Sequence, residues 1–349
     1  MVRSVSLWIV LVAGASAAVA AQTRSVDVTD LTGQDTVVLL VFGDSGTGDA
    51  GQHRVSRAMF ETCRARGCDL AIVTGDVLYE NGVEVENRSS ADASYQEIVE
   101  QFNQKFERPY AAFSQLPGFR FWIALGNHDY RRNVFSTLTT YSEFSGLWRL
   151  PAFHYEIPGL PDWLQVQAIH TDTDERRDLN GMQVASLKRD LCDERNPDRW
   201  KLVFGHNPVY NSGHHRGDGN ERQTRAMLEV PLFQACGVHA YFAGHAHHQE
   251  HLTATGFEQV IQGAGARITG SNRPSSSTPT QQRFFSRTFG FAIVEVDVDR
   301  IRMDFYDVEN TREKGTFTPP TQDEIVRTYS WCGTRADIGR PDHTAPACP

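Results

Sequence analysis

Five apolar runs in this chain each lead into a glycine beside a side chain that can bind a metal ion. The runs cover residues 37–42, 70–74, 121–125, 202–204 and 240–243, and their length and β-branched or aromatic content are typical of buried strands. The motifs that follow are Gly43-Asp44, Gly75-Asp76, Gly126-Asn127-His128-Asp129, Gly205-His206 and Gly244-His245-Ala246-His247. Side chains at the carboxyl ends of strands converge in α/β sheets. The motifs therefore predict one dinuclear metal centre.

Strand and helix patterns alternate along most of the chain, which is typical of an α/β fold. Helical patterns occur near residues 52–66, 94–113 and 181–192. Residues 291–298 and 301–307 alternate apolar and polar side chains, which predicts two antiparallel strands of a second sheet. Polar residues 82–94 and 271–282 are predicted loops, the first at the rim of the metal centre. We expect an α/β fold with two packed mixed β-sheets flanked by helices, an αββα sandwich.

The composition fits an enzyme with a sizeable core and disfavours a nucleic-acid-binding surface. Hydrophobic residues make up 40% of the 349 residues and charged residues 22%. The formal net charge is −9 and we find no cluster of Lys and Arg, which a phosphate backbone would require. An anionic substrate would need metal cations to attract it.

The N-terminus has the pattern of a secretory signal peptide. Arg3 precedes an apolar stretch at residues 5–13, and small residues end in the cleavage-like Ala18-Val19-Ala20. The stretch is shorter than a membrane span and is interrupted by Gly14 and Ser16, although a lone membrane anchor is the alternative. We expect a signal peptide at 1–21, a single domain with a C-terminal extension at 22–349, and a secreted or periplasmic protein.

The six cysteines form an even set, which in an exported chain favours disulfide bonds over thiol catalysis or zinc binding. Cys63 with Cys68 and Cys332 with Cys348 are plausible local pairs, which would leave Cys192 with Cys236 to join two helix ends. Six cysteines allow fifteen connectivities, so the pairing stays open at this stage.

In order and spacing, the five motifs resemble the calcineurin-like metallophosphoesterases, and among these the purple acid phosphatases of the tartrate-resistant type. The sequence Gly205-His206-Asn207-Pro208-Val209-Tyr210 is among the matching segments, and Tyr79, three residues after Asp76, carries the second resemblance. The resemblance implies hydrolysis of phosphate monoesters by a metal-activated hydroxide at a dinuclear Fe(III)-M(II) centre. The expected partner is a small phosphorylated substrate. No stable membrane span is expected, and the oligomeric state is left open.

The resemblance also implies two sets of metal ligands that share Asp76, since a carboxylate can use both oxygens to hold two cations. Asp44, Tyr79 and His247 would complete a ferric site, where hard phenolate and carboxylate oxygens suit a trivalent ion. Asn127, His206 and His245 would complete a site for Fe(II), Zn or Mn. An ionised Tyr79 bound to iron(III) should absorb visible light, as the purple colour of the family indicates.

His128 and His215 are the candidates to contact the phosphate or to donate a proton to the leaving alkoxide. Asp129 is the candidate to orient His128 or its neighbours. His214 stands where the acid phosphatases usually have an acidic residue, which leaves the pH preference open. We expect His214 and His248 to be solvated surface histidines.

Three alternatives compete with this interpretation. The first is a dinucleotide-binding oxidoreductase, because residues 46–51 match the pattern G-x-G-x-x-G after a strand. The carboxylates of Asp44 and Asp49 argue against it, since they would repel a pyrophosphate. A phosphodiesterase or nucleotidase would use the same dinuclear chemistry with a more open rim. An exported metal- or phosphate-binding protein without turnover is the alternative from another class.

Overall fold

The computed structural model describes residues 30–85, 91–129, 131, 135–171, 183–193, 198–269, 280–309, 318–341 and 348. The predicted signal peptide and most of the predicted loop at 271–282 lie outside the described residues.

The strands are β1 (Thr36–Phe42), β2 (Leu70–Val73), β3 (Phe121–Ile123), β4 (Trp148–Arg149), β5 (Tyr155–Glu156), β6 (Leu164–Ala168), β7 (Trp200–Phe204), β8 (Ala240–Ala243), β9 (Gln249–Ala254), β10 (Phe257–Gln262), β11 (Thr280–Ser286), β12 (Gly290–Asp297), β13 (Arg300–Val308) and β14 (Ile325–Thr334). The α-helices are α1 (Ala50–Arg66), α2 (Ala91–Phe102), α3 (Arg108–Tyr110), α4 (Phe135–Thr140), α5 (Val184–Leu191) and α6 (Gly219–Leu228).

The strands form two sheets of seven, which confirms the predicted fold class. Sheet A has the order β14-β13-β12-β1-β2-β3-β4, and sheet B the order β11-β9-β10-β8-β7-β6-β5. The strands β1 to β4 run parallel in sheet A, and β6, β7, β8 and β10 run parallel in sheet B. The remaining strands pair antiparallel, so both sheets are mixed.

The prediction that residues 291–298 and 301–307 belong to a second sheet was wrong. These residues form the antiparallel strands β12 and β13, but β12 pairs with β1, from Thr36 opposite Asp297 to Val41 opposite Ala292. Alternation of apolar and polar side chains defines a strand and a local hairpin, but it holds no information on which distant strand the hairpin joins. The C-terminal strands therefore complete the sheet that the first strand begins.

Three apolar layers hold the sandwich together. The middle layer lies between the sheets and includes Leu39, Val41, Leu202 and Phe242. One outer layer packs α1 and the segment after α2 on sheet A, and the other packs α5 and α6 on sheet B. Strands that are buried on both faces read as continuous apolar runs, which is why the sequence pattern located them.

The predicted helix at 94–113 is broken into several pieces. α2 is followed by a π-helical turn at Asn103–Glu107, by α3, and by a 3-10 turn at Ala111–Gln115. Pro109 lacks an amide hydrogen and its ring clashes with the carbonyl four residues before it, so a continuous α-helical ladder cannot pass this point. The periodicity of apolar residues gave the extent of the helical region but not its interruptions.

Three disulfide bonds are present, as the even set of cysteines predicted, and they join Cys63 to Cys68, Cys192 to Cys236 and Cys332 to Cys348. The last bond and two hydrogen bonds of the Gly339 backbone anchor the segment after β14. The Gly339 amide donates to buried Glu258 at 2.9 Å, and the Gly256 amide donates to the Gly339 carbonyl at 3.0 Å. Within the described residues, the helices all fall short of the length and apolar content that a bilayer crossing requires.

Candidate metal centre

Every predicted metal ligand lies just beyond the carboxyl end of a parallel strand. Asp44, Asp76 and Asn127 follow β1, β2 and β3 of sheet A, and Tyr79 lies on the loop after Asp76. His206 follows β7 of sheet B, and His245 and His247 follow β8. The structure brings all seven side chains together at one edge of the sandwich.

The first group of converging atoms comes from Asp44, Tyr79 and His247. The Tyr79 hydroxyl lies 3.0 Å from Asp44 Oδ1 and 3.2 Å from His247 Nε2. His247 Nε2 lies 3.4 Å from the same Asp44 oxygen. Three ligands held about 2.1 Å from one cation would be about 3.0 to 3.4 Å apart, so these atoms have the spacing of a common coordination sphere.

The second group comes from Asn127, His206 and His245. Asn127 Oδ1 lies 3.1 Å from His206 Nε2 and 3.2 Å from His245 Nδ1. Asp76 Oδ2 lies 3.5 Å from His206 Nε2, and Asp44, Asp76 and His206 each offer a ligand atom within 4.8 Å of the others. Asp76 therefore connects the two groups.

The buried charges at this edge fit a pair of cations. Asp44 and Asp76 are 0% and 1% exposed, and buried carboxylates need a compensating charge. Burial and the neighbouring Asp44 and Asp76 raise the pKa of the Tyr79 phenol well above its ordinary value, so a phenolate here requires a cation.

A hydrogen bond orients one imidazole of the second group, and burial disfavours the protonated form of another. The His206 Nδ1 donates a hydrogen bond to the Thr74 carbonyl at 2.8 Å, which fixes the tautomer and leaves Nε2 to face the Asn127 side chain. Burial, together with the neighbouring His206, lowers the pKa of His245 well below its ordinary value. A neutral imidazole is the form that binds a metal ion.

Asp129 supports the centre through the backbone. Its Oδ1 accepts the amides of Val77 and Leu78 at 2.8 and 2.9 Å, and its Oδ2 accepts those of Asp76 and Gly126 at 2.9 and 2.8 Å. The side chain is fully buried. Of the two orienting roles predicted for Asp129, the geometry favours the one toward its neighbours, because both oxygens already hold the loops that present Asp76 and Asn127.

The ligand loops approach each other so closely that glycine is required beside them. A β-carbon on Gly126 would overlap the Asp76 carboxylate, and one on Gly244 would overlap the Asp44 carboxylate. Asp44, Asp76 and His245 themselves adopt positive φ values of 54°, 54° and 66°. This left-handed conformation is costly for residues with side chains, and such strain is found at functional sites.

His128 lies on the rim with one ring nitrogen occupied. Its Nδ1 donates to the Glu80 carbonyl at 2.6 Å, and its Nε2 lies 3.9 Å from Asp76 Oδ2. Arg267 forms an ion pair with Glu80 and stacks on the Tyr79 ring, 3.7 Å from its centroid. The motifs singled out neither Glu80 nor Arg267, since both lie outside the ligand pattern.

His215 lies against the second group of ligands. Its ring centroid is 4.1 Å from that of His245, and its Nδ1 is 3.2 Å from Asp218 Oδ2.

His214 is exposed, as expected. The prediction that His248 is a solvated surface histidine was wrong, because it is 1% exposed and its Nε2 lies 3.0 Å from Glu250 Oε2. Glu250 lies two residues further along and is itself buried, which a local reading of polar residues could not anticipate.

The sandwich fold and its edge of carboxylate, phenol, amide and imidazole groups define a metallophosphoesterase. A family model for the calcineurin-like phosphoesterases matches residues 37–249, and the chain belongs to this family. The match covers more than half of the chain and spans all five motifs.

Several curated relatives are purple acid phosphatases. The chain is 29% identical to purple acid phosphatase 3 of Arabidopsis thaliana over 78% of this chain and 75% of the relative. It is 28% identical to the human tartrate-resistant acid phosphatase type 5 over 69% of this chain and 76% of the relative. These similarities support a phosphoesterase hydrolase with a metal centre.

Solved structures confirm the fold at lower identity. Purple acid phosphatase PPD1 from yellow lupin seeds superimposes with a TM-score of 0.55 at 16% identity, over 82% of this chain and 54% of that chain. GAP50, the anchor in the inner membrane complex of Plasmodium, superimposes with a TM-score of 0.63 at 15% identity, over 83% of this chain and 90% of that chain. At these identities the likeness concerns the fold alone.

Proposed function

We propose that this protein is an acid phosphatase that hydrolyses phosphate monoesters at a dinuclear centre of iron(III) and a divalent metal ion. Two triads of donor atoms at coordination spacing, joined by Asp76, are the observation that carries the proposal. The similarity to purple acid phosphatases supports it. The bound ions would supply a water of lowered pKa and neutralise the phosphoryl oxygens.

The ligand assignment follows the chemistry of the two triads. Asp44, Tyr79 and His247, with Asp76, would hold iron(III), because a phenolate and carboxylates suit a hard trivalent ion. Asn127, His206 and His245, with Asp76, carry less negative charge and would hold Fe(II), Zn or Mn. Thr74 supports His206 in the second set through the hydrogen bond to its Nδ1.

The chain's own side chains would orient and protonate the ester. The Glu80 carbonyl occupies His128 Nδ1, so Nε2 is the nitrogen turned toward Asp76 and available to a phosphoryl oxygen or to the leaving oxygen. His215 would serve beside the second group of ligands, next to His245. Asp129 would act by fixing the ligand loops rather than by touching substrate.

The domain organisation and the location of the protein are part of the proposal. Residues 22–349 would form one domain, in which the strands β12 to β14 complete the sheet of β1 and the segment after β14 is the C-terminal extension. Residues 1–21 would be a signal peptide. Three disulfide bonds fit an oxidising compartment, and we propose secretion or a periplasmic location.

Metal analysis combined with a visible spectrum tests the metal assignment. We expect about one iron per chain and an absorption band that disappears in Tyr79→Phe, because the band arises from the phenolate bound to iron(III). Tyr79→Phe removes only the oxygen and keeps the ring that packs on His128. A colourless protein that contains zinc or manganese alone would contradict the iron assignment.

Comparison of two substrates tests the reaction. We expect p-nitrophenyl phosphate to be hydrolysed faster than bis(p-nitrophenyl) phosphate. The reverse preference would favour the phosphodiesterase alternative. Bound metal with no hydrolysis of either ester would favour a binding protein and overturn the proposed enzyme.

A further inference from the structure

We infer that Asp218 is a positioning residue that holds the His215 imidazole in a single tautomer and orientation at the metal centre. The inference deepens the proposed function and rests on it in so far as His215 acts on the substrate. The placement of the two side chains can be tested without any catalytic activity.

The hydrogen bond between the two side chains fixes which nitrogen of His215 carries hydrogen. Asp218 Oδ2 lies 3.2 Å from His215 Nδ1. An ionised carboxylate only accepts hydrogen bonds, so Nδ1 must be the donor. Nε2 then remains as the nitrogen that can meet a substrate.

The other oxygen of Asp218 is fixed by the helix that follows. Asp218 is the N-cap of α6, with extended backbone angles, and its Oδ1 accepts the Glu221 amide at 2.8 Å. The Glu221 side chain in turn accepts the Gly217 amide at 2.7 Å. The helix therefore sets the direction of the carboxylate independently of His215, and each oxygen has one task.

The geometry places this pair directly against the proposed divalent site. His215, Asp218 and His245 each offer a nitrogen or oxygen atom within 4.8 Å of the others. The His215 and His245 rings are tilted by only 30° at a centroid distance of 4.1 Å. His245 Nε2 is buried and has no hydrogen-bond partner among the described residues.

Positioning is needed because His215 lies on a loop. The connection from β7 to α6 is tied to sheet B by the Ser212 amide, which donates to Glu250 at 3.1 Å, and by the helix cap at Asp218. The His215 side chain remains 30% exposed and could rotate without a partner. Because the Asp218 carboxylate is already oriented, its hydrogen bond orders the His215 ring at a smaller cost in conformational entropy.

Asp218→Ser is the informative variant, because serine is as good an N-cap as aspartate but is too short to reach His215. The first measurement is the ¹⁵N NMR signature of His215 in the full chain loaded with zinc, assigned by comparison with His215→Asn. We expect the wild type to carry hydrogen on Nδ1, and Asp218→Ser to shift toward hydrogen on Nε2, the form that free imidazole side chains favour in water. An unchanged His215 signature in Asp218→Ser would overturn the inference.

The second measurement is turnover of an alkyl phosphate, whose poor leaving group depends most on a correctly placed histidine. We expect Asp218→Ser to lower kcat about tenfold or more, with little change in KM and a melting temperature within about 2 °C of the wild type.

In a His215→Ala background the same change should have no further effect, because the two residues act as a unit. Equal losses in both backgrounds would contradict the positioning role. If the wild type hydrolyses no phosphate ester while the NMR shift is observed, the proposed function fails and the placement of His215 by Asp218 stands.

Discussion

The two sheets contribute chemically different halves of the candidate centre. Sheet A supplies the oxygen donors Asp44, Asp76, Tyr79 and Asn127, whereas sheet B supplies the nitrogen donors His206, His245 and His247. Neither half can surround an ion alone. The centre therefore depends on the packing of one sheet on the other, and a metal ion bound there would bind the folded chain only.

The two halves are also supported differently. The oxygen half is held by a side chain, since buried Asp129 gathers four amides from two loops. The nitrogen half depends on acceptors of the opposite half, since His206 donates to the Thr74 carbonyl and the His245 amide donates to the side-chain Oδ2 of Asp44 at 2.9 Å. Damage to the oxygen half should thus spread to the nitrogen half more than the reverse.

The largest effect should come from Asp76→Asn, because Asp76 connects both ligand groups. We expect loss of both metal ions and a fall in activity of about three orders of magnitude or more, since metal ions contribute several kcal/mol to transition-state stabilisation. The matched change in the nitrogen half, His247→Asn, should release iron but retain the divalent ion. Metal analysis of both proteins checks this, and equal metal contents in the two variants would be inconsistent with a shared Asp76.

Asp129→Asn should be the most destabilising change among those that leave all seven proposed ligands in place. An amide group has one acceptor, so no rotamer can satisfy both amide pairs, and we expect the free energy of unfolding to fall by about 3 kcal/mol or more. Chemical denaturation measures the loss. Asp69→Asn is the control, because Asp69 accepts a single amide, that of Val38 at 2.8 Å, which an asparagine oxygen can replace. Similar losses in both variants would refute the role given to Asp129.

Gly244→Ala tests the contact between the halves from the side of sheet B. Its methyl group would press on the Asp44 carboxylate and the Thr74 carbonyl, both of sheet A. We expect phosphatase activity to fall about tenfold or more, because a displacement of about 1 Å at a catalytic group can cost about a hundredfold. Gly146→Ala, where a methyl group would meet open space, should be neutral. Full activity in Gly244→Ala would show that the halves are less tightly fitted than the structure indicates.

The smallest effect should come from acid at the opposite end of sheet B. Burial and the nearby Arg335 and Lys201 lower the pKa of His239 to about 4, and its Nδ1 accepts the Lys201 amide at 3.0 Å. Because the pKa is about 6.5 in the unfolded chain, the unfolded state binds more protons between these values, and stability should fall as the pH drops from about 6.5 toward 4.

His239→Asn keeps an acceptor for the Lys201 amide but does not titrate in this range. Denaturant titrations at pH 7 and pH 5 should therefore show a smaller loss of stability for the variant than for the wild type. Metal release in acid affects both proteins alike, because His239 lies at the end of β8 remote from the ligands. Parallel pH profiles of the two proteins would exclude His239 as a source of acid sensitivity.

The sequence alone predicted the sandwich and the residues that meet at its edge, because both depend on local patterns. Buried parallel strands appear as continuous apolar runs, and a ligand that follows such a strand has its position set by the sheet. Asp44 and His206 could be located in this way without knowledge of any contact. The three disulfide pairs were also among the pairings considered, and two of them are short-range.

The remainder depended on contacts between distant parts of the chain. The pairing of β12 with β1, the stacking of His248 on Phe285 and the stacking of Arg267 on Tyr79 each join segments that local periodicity cannot relate. Asp129 was predicted to orient His128 or its neighbours, but the four amides that donate to it come from loops whose approach only the fold determines.

The pairing of β12 with β1 has a consequence for biosynthesis. Chain growth from the N-terminus produces the strand that carries Asp44 some 250 residues before the strand that covers its open side. Until the strands β12 to β14 have been synthesised, β1 presents an exposed edge of unpaired amides and carbonyls, which is a template for association between chains. Premature termination before β12 would therefore yield an incomplete, aggregation-prone sheet rather than a smaller functional protein.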